Sequence, residues 1–139
     1  MCASSDSTPL YRSTSRCETR TVLVVDDDPE LTALTGAYLR DLEDVSVRTS
    51  SDPHEALRLV DDGVDCVVSD YQMPECDGLT LLETIRTNHP ELSFVLFTAM
   101  RDDRIAERAR ALDATYVRKG PTSDGFEGLV GVVERELDG

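Results

Sequence analysis

The amino-acid sequence predicts an α/β fold, a doubly wound parallel sheet of five strands with five helices. Short apolar runs alternate with longer segments of helical periodicity from residue 21 onward, a pattern typical of strands joined by crossover helices. Because crossovers are right-handed, few topologies are open to such a chain. We expect the strand order 2-1-3-4-5, with helices on both faces of the sheet.

The strands are identified by their apolar content. The central ones are nearly continuous apolar runs, as expected for strands that are buried on both faces of a parallel sheet. In chain order, the predicted strands are 21–25, 45–49, 65–70, 93–97 and 114–118.

Capping residues predict where the first two helices begin. Asp28 is placed to act as an N-cap, and Pro29 then occupies the first helical position, where no helical hydrogen bond needs its missing N–H. Asp52 is a second N-cap, with an acidic residue three positions later at Glu55. We expect Gly63 to end this second helix.

The other three helices follow the third, fourth and fifth strands. The spacing of apolar residues predicts a helix over 78–88, and Asp102 or Asp103 caps a fourth helix that ends near Leu112. The fifth helix is predicted over 123–137 and should be the least stable, because an interior glycine costs about 1 kcal/mol relative to alanine. Its glycines are Gly125, Gly128 and Gly131.

The charge of the chain is strongly unbalanced, with 28 acidic and 14 basic residues and a net charge of -14. Such a field repels nucleic acid phosphates and anionic membranes, so direct contact with DNA is not expected. Arginine supplies every basic residue except Lys119. This composition suggests adaptation to a salt-rich cytoplasm, where a Debye length of about 3 Å at 1 M salt quenches self-repulsion. An acidic face for a basic partner is the alternative.

The length of 139 residues fits one domain, which we place at residues 21–139. Residues 1–20 are rich in Ser and Thr and are expected to form a disordered extension. No apolar run approaches the ~18 residues of a membrane span, and the N-terminus lacks the apolar core of a signal peptide, so a cytoplasmic protein is expected. The four cysteines form no CxxC pair, which argues against a zinc site or a disulfide framework.

Acidic residues follow two of the predicted strands. Asp26 and Asp27 come directly after the first strand, and Asp70 ends the third. In the order 2-1-3-4-5 these strands are neighbours at the switch point of the topology, so their carboxylates should converge at one edge of the sheet. Thr98 and Lys119, which follow strands four and five, should lie over the same edge.

The negative charge of three neighbouring carboxylates must be compensated, because the repulsion between one pair at 4 Å costs about 4 kcal/mol at an effective dielectric near 20. Either a pKa rises or a cation binds, and an all-oxygen site at a solvent-facing edge favours Mg²⁺. The Thr98 hydroxyl and the Lys119 ammonium complete a cradle for the oxygens of an anion. Asp70 could then be an in-line nucleophile that forms an acyl phosphate.

Five spaced motifs carry a resemblance to a known family. They are VDDDP at 25–29, Asp70 with MP at 73–74, DG at 77–78, FTA at 97–99 and YVRK at 116–119. This set resembles the receiver domains of response regulators in two-component signalling, whose fold is flavodoxin-like. The similarity covers about residues 21–137.

The resemblance implies a phosphoacceptor and a metal site. Asp70 would take a phosphoryl group from a sensor histidine kinase or a phosphotransfer protein. Mg²⁺ would be bound by Asp27, Asp70 and the backbone carbonyl of Gln72, with Asp26 acting mainly through water. The chain would not be an enzyme, although it would assist its own magnesium-dependent phosphorylation and dephosphorylation.

The resemblance also implies a switch. Lys119 would pair with the phosphoryl oxygens, and Thr98 would move to hydrogen-bond them. Tyr116 would follow by turning inward, which reshapes the face formed by helix four, strand five and helix five. A downstream protein would bind that face. Gly120 departs from the family, which usually has proline directly after the lysine.

Two other functions stay open. A haloacid-dehalogenase-type phosphatase also forms an aspartyl phosphate on an α/β sheet, but it would need a different acidic motif after the first strand, and residues 121–139 offer no acid pair at a strand end. A receiver-like scaffold that is never phosphorylated is the second alternative. Because 139 residues leave no room for a further module, we expect a stand-alone receiver that acts through protein contacts.

Overall fold

A computed structural model describes residues 19–61, 63–73, 76–119 and 124–138. The expected extension at residues 1–20 lies outside this range except for its last two residues, and Gly120 lies outside it as well. Among the described helices, none combines the length and the apolarity that crossing a bilayer would require.

The fold confirms the predicted α/β architecture. Five parallel strands form one sheet in the order β2-β1-β3-β4-β5, and five helices connect and cover them. The strands are β1 (Arg20–Val25), β2 (Val45–Ser50), β3 (Cys66–Ser69), β4 (Ser93–Thr98) and β5 (Thr115–Arg118). The helices are α1 (Pro29–Leu39), α2 (Pro53–Leu59), α3 (Gly78–Asn88), α4 (Asp103–Ala111) and α5 (Asp124–Asp138).

The core has two layers, one on each face of the sheet. Alternate residues of β1 serve opposite layers: Leu23 packs with the residues of α2, α3 and α4, whereas Val22 and Val24 pack with those of α1 and α5. The three central strands are almost fully buried for this reason. A strand covered on both faces has no solvent side, which explains why its sequence is a continuous apolar run.

The predicted caps are confirmed. The Asp28 side chain accepts hydrogen bonds from the backbone N–H groups of Glu30 and Leu31, and Asp52 accepts one from His54. Asp102, rather than Asp103, is the N-cap of α4. These bonds satisfy N–H groups at the first turn that have no partner within the helix.

Helix α2 ends earlier than Gly63, so that predicted boundary is wrong. The helix stops at Leu59, and Val60 has extended backbone angles of φ -76° and ψ 114°. Val60 is buried in the layer that α2, α3 and α4 share. Burial of this apolar side chain ends the helix before the glycine is reached.

Two of the four cysteines lie in the described part of the chain, and both are free thiols. Cys66 is buried in β3, and burial raises the pKa of its thiol to about 12. It therefore remains protonated at neutral pH and behaves as a small apolar side chain.

Candidate functional site

The site lies at the carboxyl edge of the two central strands. Val25 of β1 pairs with Ser69 of β3 in the parallel register, so Asp26 and Asp70 leave the sheet side by side. The backbone N–H of Asp70 donates to the carbonyl of Val25 at 3.0 Å. The pairing of the strands therefore brings together acids that are 44 positions apart in the sequence.

Three carboxylates meet at this edge. Asp26, Asp27 and Asp70 each offer an oxygen, and these oxygens all lie within 4.8 Å of one another. Asp26 is buried, Asp70 is partly buried and Asp27 is exposed. The cluster of carboxylates is thus buried on the Asp26 side and open to water on the Asp27 side.

Lys119 reaches this cluster from the end of β5. Its Nζ lies 2.9 Å from Oδ2 of Asp26 and 3.6 Å from Oδ2 of Asp70, and its side chain is only 11% exposed. The backbone N–H of Lys119 donates to the carbonyl of Thr98 at 2.8 Å, which holds the start of the side chain in place. A single ammonium therefore offsets part of the charge of three carboxylates.

Asp26 and Asp70 accept hydrogen bonds from different donors. Oδ1 of Asp26 accepts a hydrogen bond from the backbone N–H of Asp28 at 3.0 Å, and its Oδ2 accepts one from Lys119 at 2.9 Å. Oδ1 of Asp70 accepts the backbone N–H of Tyr71 at 2.7 Å, and its Oδ2 faces Lys119. This arrangement orients Asp70 with one oxygen beside the ammonium.

Thr98 and Tyr116 are joined through one residue, Met100. The hydroxyl of Thr98, which is buried, accepts the backbone N–H of Met100 at 3.2 Å. The hydroxyl of Tyr116 donates to the backbone carbonyl of Met100. The two predicted switch residues therefore bond to the N–H and to the carbonyl of the same residue.

Gln72 lies beside the cluster and is exposed. With Asp27 and Tyr71 it lines an open hollow of about 370 Å³, which Met73 and Asp77 complete. This hollow gives the Asp27 side of the cluster access to solvent and to incoming groups.

Most of the chain matches the model of a known protein family. Residues 22–124 match the model described as "Response regulator receiver domain". This chain is a response regulator receiver domain.

Similar proteins include a transcriptional regulatory protein and a chemotaxis protein. The transcriptional regulatory protein CpxR of Klebsiella pneumoniae subsp. pneumoniae (strain HS11286) is 38% identical over 78 residues, which are 56% of this chain and 33% of CpxR. The probable chemotaxis protein CheY of Rhizobium etli is 29% identical over 103 residues, covering 72% of this chain and 80% of CheY. This receiver thus spans about a third of the length of CpxR.

A solved relative shows the same fold. The crystal structure of the response regulator TrrA from Thermotoga maritima in complex with Mg²⁺-BeF has a TM-score of 0.73 at 29% identity, covering 86% of this chain and all of TrrA. Receiver domains are phosphoacceptor modules that are phosphorylated by kinases or phosphotransfer proteins. Family membership therefore favours a signalling module over the phosphatase alternative.

Asp27 is the exposed member of the three clustered carboxylates. Slight burial raises the pKa of Asp27 from 3.8, and the carboxylates of Asp26 and Asp70 add to the rise. A carboxyl whose pKa is higher in the folded state binds more protons there than in the unfolded state, so stability falls as the pH rises through this range. The charged form of Asp27 thus destabilises the metal-free receiver at neutral pH.

We expect Asp27→Asn to raise the melting temperature of the metal-free receiver at pH 7, because the substitution removes this repulsion. The gain should shrink as the pH falls and disappear below 3.8, where Asp27 of the parent protein is protonated in both states. Thermal unfolding in low salt with a chelator, measured from pH 3 to 8, checks this. A gain that is independent of pH would contradict the assigned cause.

Gly78 is required for the close approach of α3 to Asp70. A Cβ at this position would lie 2.4 Å from the carbonyl oxygen of Asp70 and 2.7 Å from Cδ1 of Leu96. The first of these atoms is backbone and cannot turn away as a flexible side chain can. Glycine is needed here for space and not for a left-handed backbone conformation, since none of the described glycines has positive φ.

We expect Gly78→Ala to lower the free energy of unfolding by about 2–3 kcal/mol, because an inserted methyl group would displace the Asp70 backbone. Gly128→Ala is the matched control: nothing lies within 4 Å of a Cβ at that position in α5, so alanine should stabilise the protein by about 1 kcal/mol. Urea unfolding of both variants tests the pair. Equal effects of the two substitutions would refute this account of Gly78.

Sequence patterns did not reveal two sets of contacts that shape the site. Met100 joins Thr98 to Tyr116 through its backbone, which no side-chain motif reports. The contacts of Thr32 were also missed: it lies on the buried side of α1, and its hydroxyl shares one proton between the carbonyl oxygens of Asp26 at 3.0 Å and Asp28 at 2.8 Å. A polar residue at a buried helical position was the available signal.

Proposed function

We propose that this receiver accepts a phosphoryl group on Asp70 from the phosphohistidine of a sensor kinase or phosphotransfer protein. It then signals through a protein-binding surface that depends on phosphorylation. One observation carries the proposal. Three carboxylates and the Lys119 ammonium meet at one edge of the sheet, with Oδ2 of Asp70 3.6 Å from Nζ of Lys119.

The residues at this edge fit Mg²⁺. All the side-chain donors are carboxylate oxygens and one side of the group is open to water, which suits an ion that keeps several of its waters. As the family resemblance implies, Asp27, Asp70 and the backbone carbonyl of Gln72 would hold the ion directly, and Asp26, which already accepts hydrogen bonds from Asp28 and Lys119, would act mainly through water. The bound ion supplies positive charge that offsets the carboxylates and the transferred group.

Asp70 provides the nucleophile. One of its carboxylate oxygens attacks phosphorus, and the bond between phosphorus and the histidine nitrogen of the donor breaks, leaving the electron pair on that nitrogen. The product is an acyl phosphate on Asp70. Lys119 neutralises charge on the phosphoryl oxygens, and its ammonium is already placed beside Oδ2 of Asp70. The same groups would assist hydrolysis of the acyl phosphate by water.

Thr98 and Tyr116 would pass the change to the surface. When the Thr98 hydroxyl moves to donate to a phosphoryl oxygen, the N–H of Met100 that it accepts moves with it. The carbonyl of Met100 accepts the Tyr116 hydroxyl, so Tyr116 repositions in turn. The surface formed by α4, β5 and α5 changes shape and binds the downstream protein.

Phosphorylation by a small phosphodonor tests the proposal. The purified protein is incubated with acetyl phosphate and MgCl2, and the intact mass is measured. One phosphoryl group should be added with magnesium and none when a chelator replaces it. Absence of phosphorylation in both conditions would favour the scaffold alternative, and repeated turnover of a phosphatase substrate would favour the enzyme.

The partners need a separate experiment. Immobilised receiver treated with beryllofluoride and MgCl2, which mimics the phosphorylated form, is compared with untreated receiver in pull-downs from a cytoplasmic extract. A protein that binds only the treated form is the expected output partner. The same proteins bound to both forms would contradict a phosphorylation-dependent surface.

Adaptation to a salt-rich cytoplasm completes the proposal. The net charge of -14, with one lysine among 14 basic residues, would destabilise the fold in dilute buffer and much less at about 1 M salt, where the Debye length is about 3 Å. The melting temperature should therefore rise steeply with KCl. If the melting temperature in dilute buffer equals that at high salt, the adaptation hypothesis fails, and an acidic face that binds a basic partner becomes the better explanation.

A further inference from the structure

The loop that carries Asp26 and Asp27 is held by a side chain outside the loop. Thr32, on α1, is 5% exposed, and its hydroxyl oxygen lies 3.0 Å from the backbone carbonyl oxygen of Asp26 and 2.8 Å from that of Asp28, so its one proton is shared between the two acceptors. Asp26 also donates its backbone N–H to the carbonyl of Ser50 in β2, and its carboxylate accepts the backbone N–H of Asp28 and the Lys119 ammonium. Thr32 thus supplies a tether from the buried face of the helix.

The tethered carbonyl belongs to the peptide that joins Asp26 to Asp27. The orientation of this peptide sets the direction in which the two side chains leave the backbone. The Asp27 carboxylate is exposed, and oxygens of Asp26, Asp27 and Asp70 lie within 4.8 Å of one another, so repulsion between the like charges favours movement of Asp27 away from Asp26 and Asp70. A tether on the intervening peptide resists that movement.

We infer that Thr32 is a positioning residue for divalent cation binding: its hydroxyl fixes the peptide between the buried and the exposed acid, so that both carboxylates face Asp70. This inference rests on the proposed function, because it assumes that the three carboxylates bind Mg²⁺. Groups that orient the ligands of a metal commonly change its affinity 10–100-fold when removed.

The substitution Thr32→Val tests the role of the hydroxyl, because valine keeps the shape of threonine and loses the donor. We expect Mg²⁺ affinity, measured by calorimetry on the unphosphorylated protein, to fall about tenfold. Thr32→Ser keeps a hydroxyl and should restore most of the affinity. Thr35→Val is the matched control, since Thr35 is a second buried threonine of α1, and it should leave the affinity unchanged.

The outcomes separate the inference from the function on which it rests. If the parent protein binds Mg²⁺ and Thr32→Val binds it equally well while unfolding at a lower temperature, Thr32 is only structural and the inference is wrong. An equal loss of affinity in Thr32→Val and Thr35→Val would also overturn it. If the parent protein binds no divalent cation, the metal-assisted function itself fails and the inference fails with it.

Discussion

The Asp70→Asn protein should take up no phosphoryl group from acetyl phosphate in the presence of Mg²⁺. An amide has no anionic oxygen to attack phosphorus, so the nucleophile is lost while the shape of the side chain is kept. The amide oxygen can still accept the backbone N–H of Tyr71, which lies 2.7 Å from Oδ1 of Asp70, and the fold should therefore persist. Intact mass after incubation, together with a melting curve, measures both effects.

Asp28→Asn is the matched control for this substitution. It removes one negative charge from the loop that carries Asp26 and Asp27, and asparagine is about as good an N-cap as aspartate, so α1 should keep its start. We expect this variant to be phosphorylated at close to the parent rate. Phosphorylation that persists in Asp70→Asn would place the acceptor elsewhere, and its loss in Asp28→Asn would mean that charge near the site, and not the nucleophile, controls uptake.

The Lys119→Met protein should lose about 3 kcal/mol of unfolding free energy at pH 7 in low salt and be phosphorylated much more slowly. Removing one partner of a buried ion pair leaves the other charge without compensation. Here that charge is Asp26, which is 4% exposed and lies 2.9 Å from the lysine.

Arg118→Met provides the comparison for Lys119→Met. It removes one positive charge from the preceding residue of β5, whose side chain is exposed, and should change stability by less than about 0.5 kcal/mol. Chemical unfolding of both variants at pH 7 in low salt distinguishes the two positions. Equal losses would show that net charge, and not the contacts with Asp26 and Asp70, determines the effect.

Much of the site was predictable because its residues follow strands. Asp26 and Asp27 come after β1, Asp70 after β3 and Lys119 after β5, and parallel strands place their carboxyl ends at one edge. Helix starts were equally readable, since Asp28 and Asp52 act on N–H groups two or three residues away. Local chemistry of this kind does not depend on the rest of the fold.

Other features needed contacts between distant residues. The end of α2 depends on where Val60 can be buried, and so Gly63 was a misleading signal. The tight contact of Gly78 with Asp70, and the tether from Thr32 to Asp26, depend on how helices lie against the carboxyl ends of the strands. No periodicity or motif encodes these distances.

The sequence by itself determined the fold class, the strand order and the set of acids, because hydrophobic period, capping chemistry and crossover handedness act locally or through general rules of topology. Only the tertiary structure decided how the charges are shared. Lys119 lies closer to Asp26 than to Asp70, and Asp27 is left exposed with a raised pKa. Coulomb interactions and burial vary over a few ångströms, a scale that packing sets and sequence spacing does not.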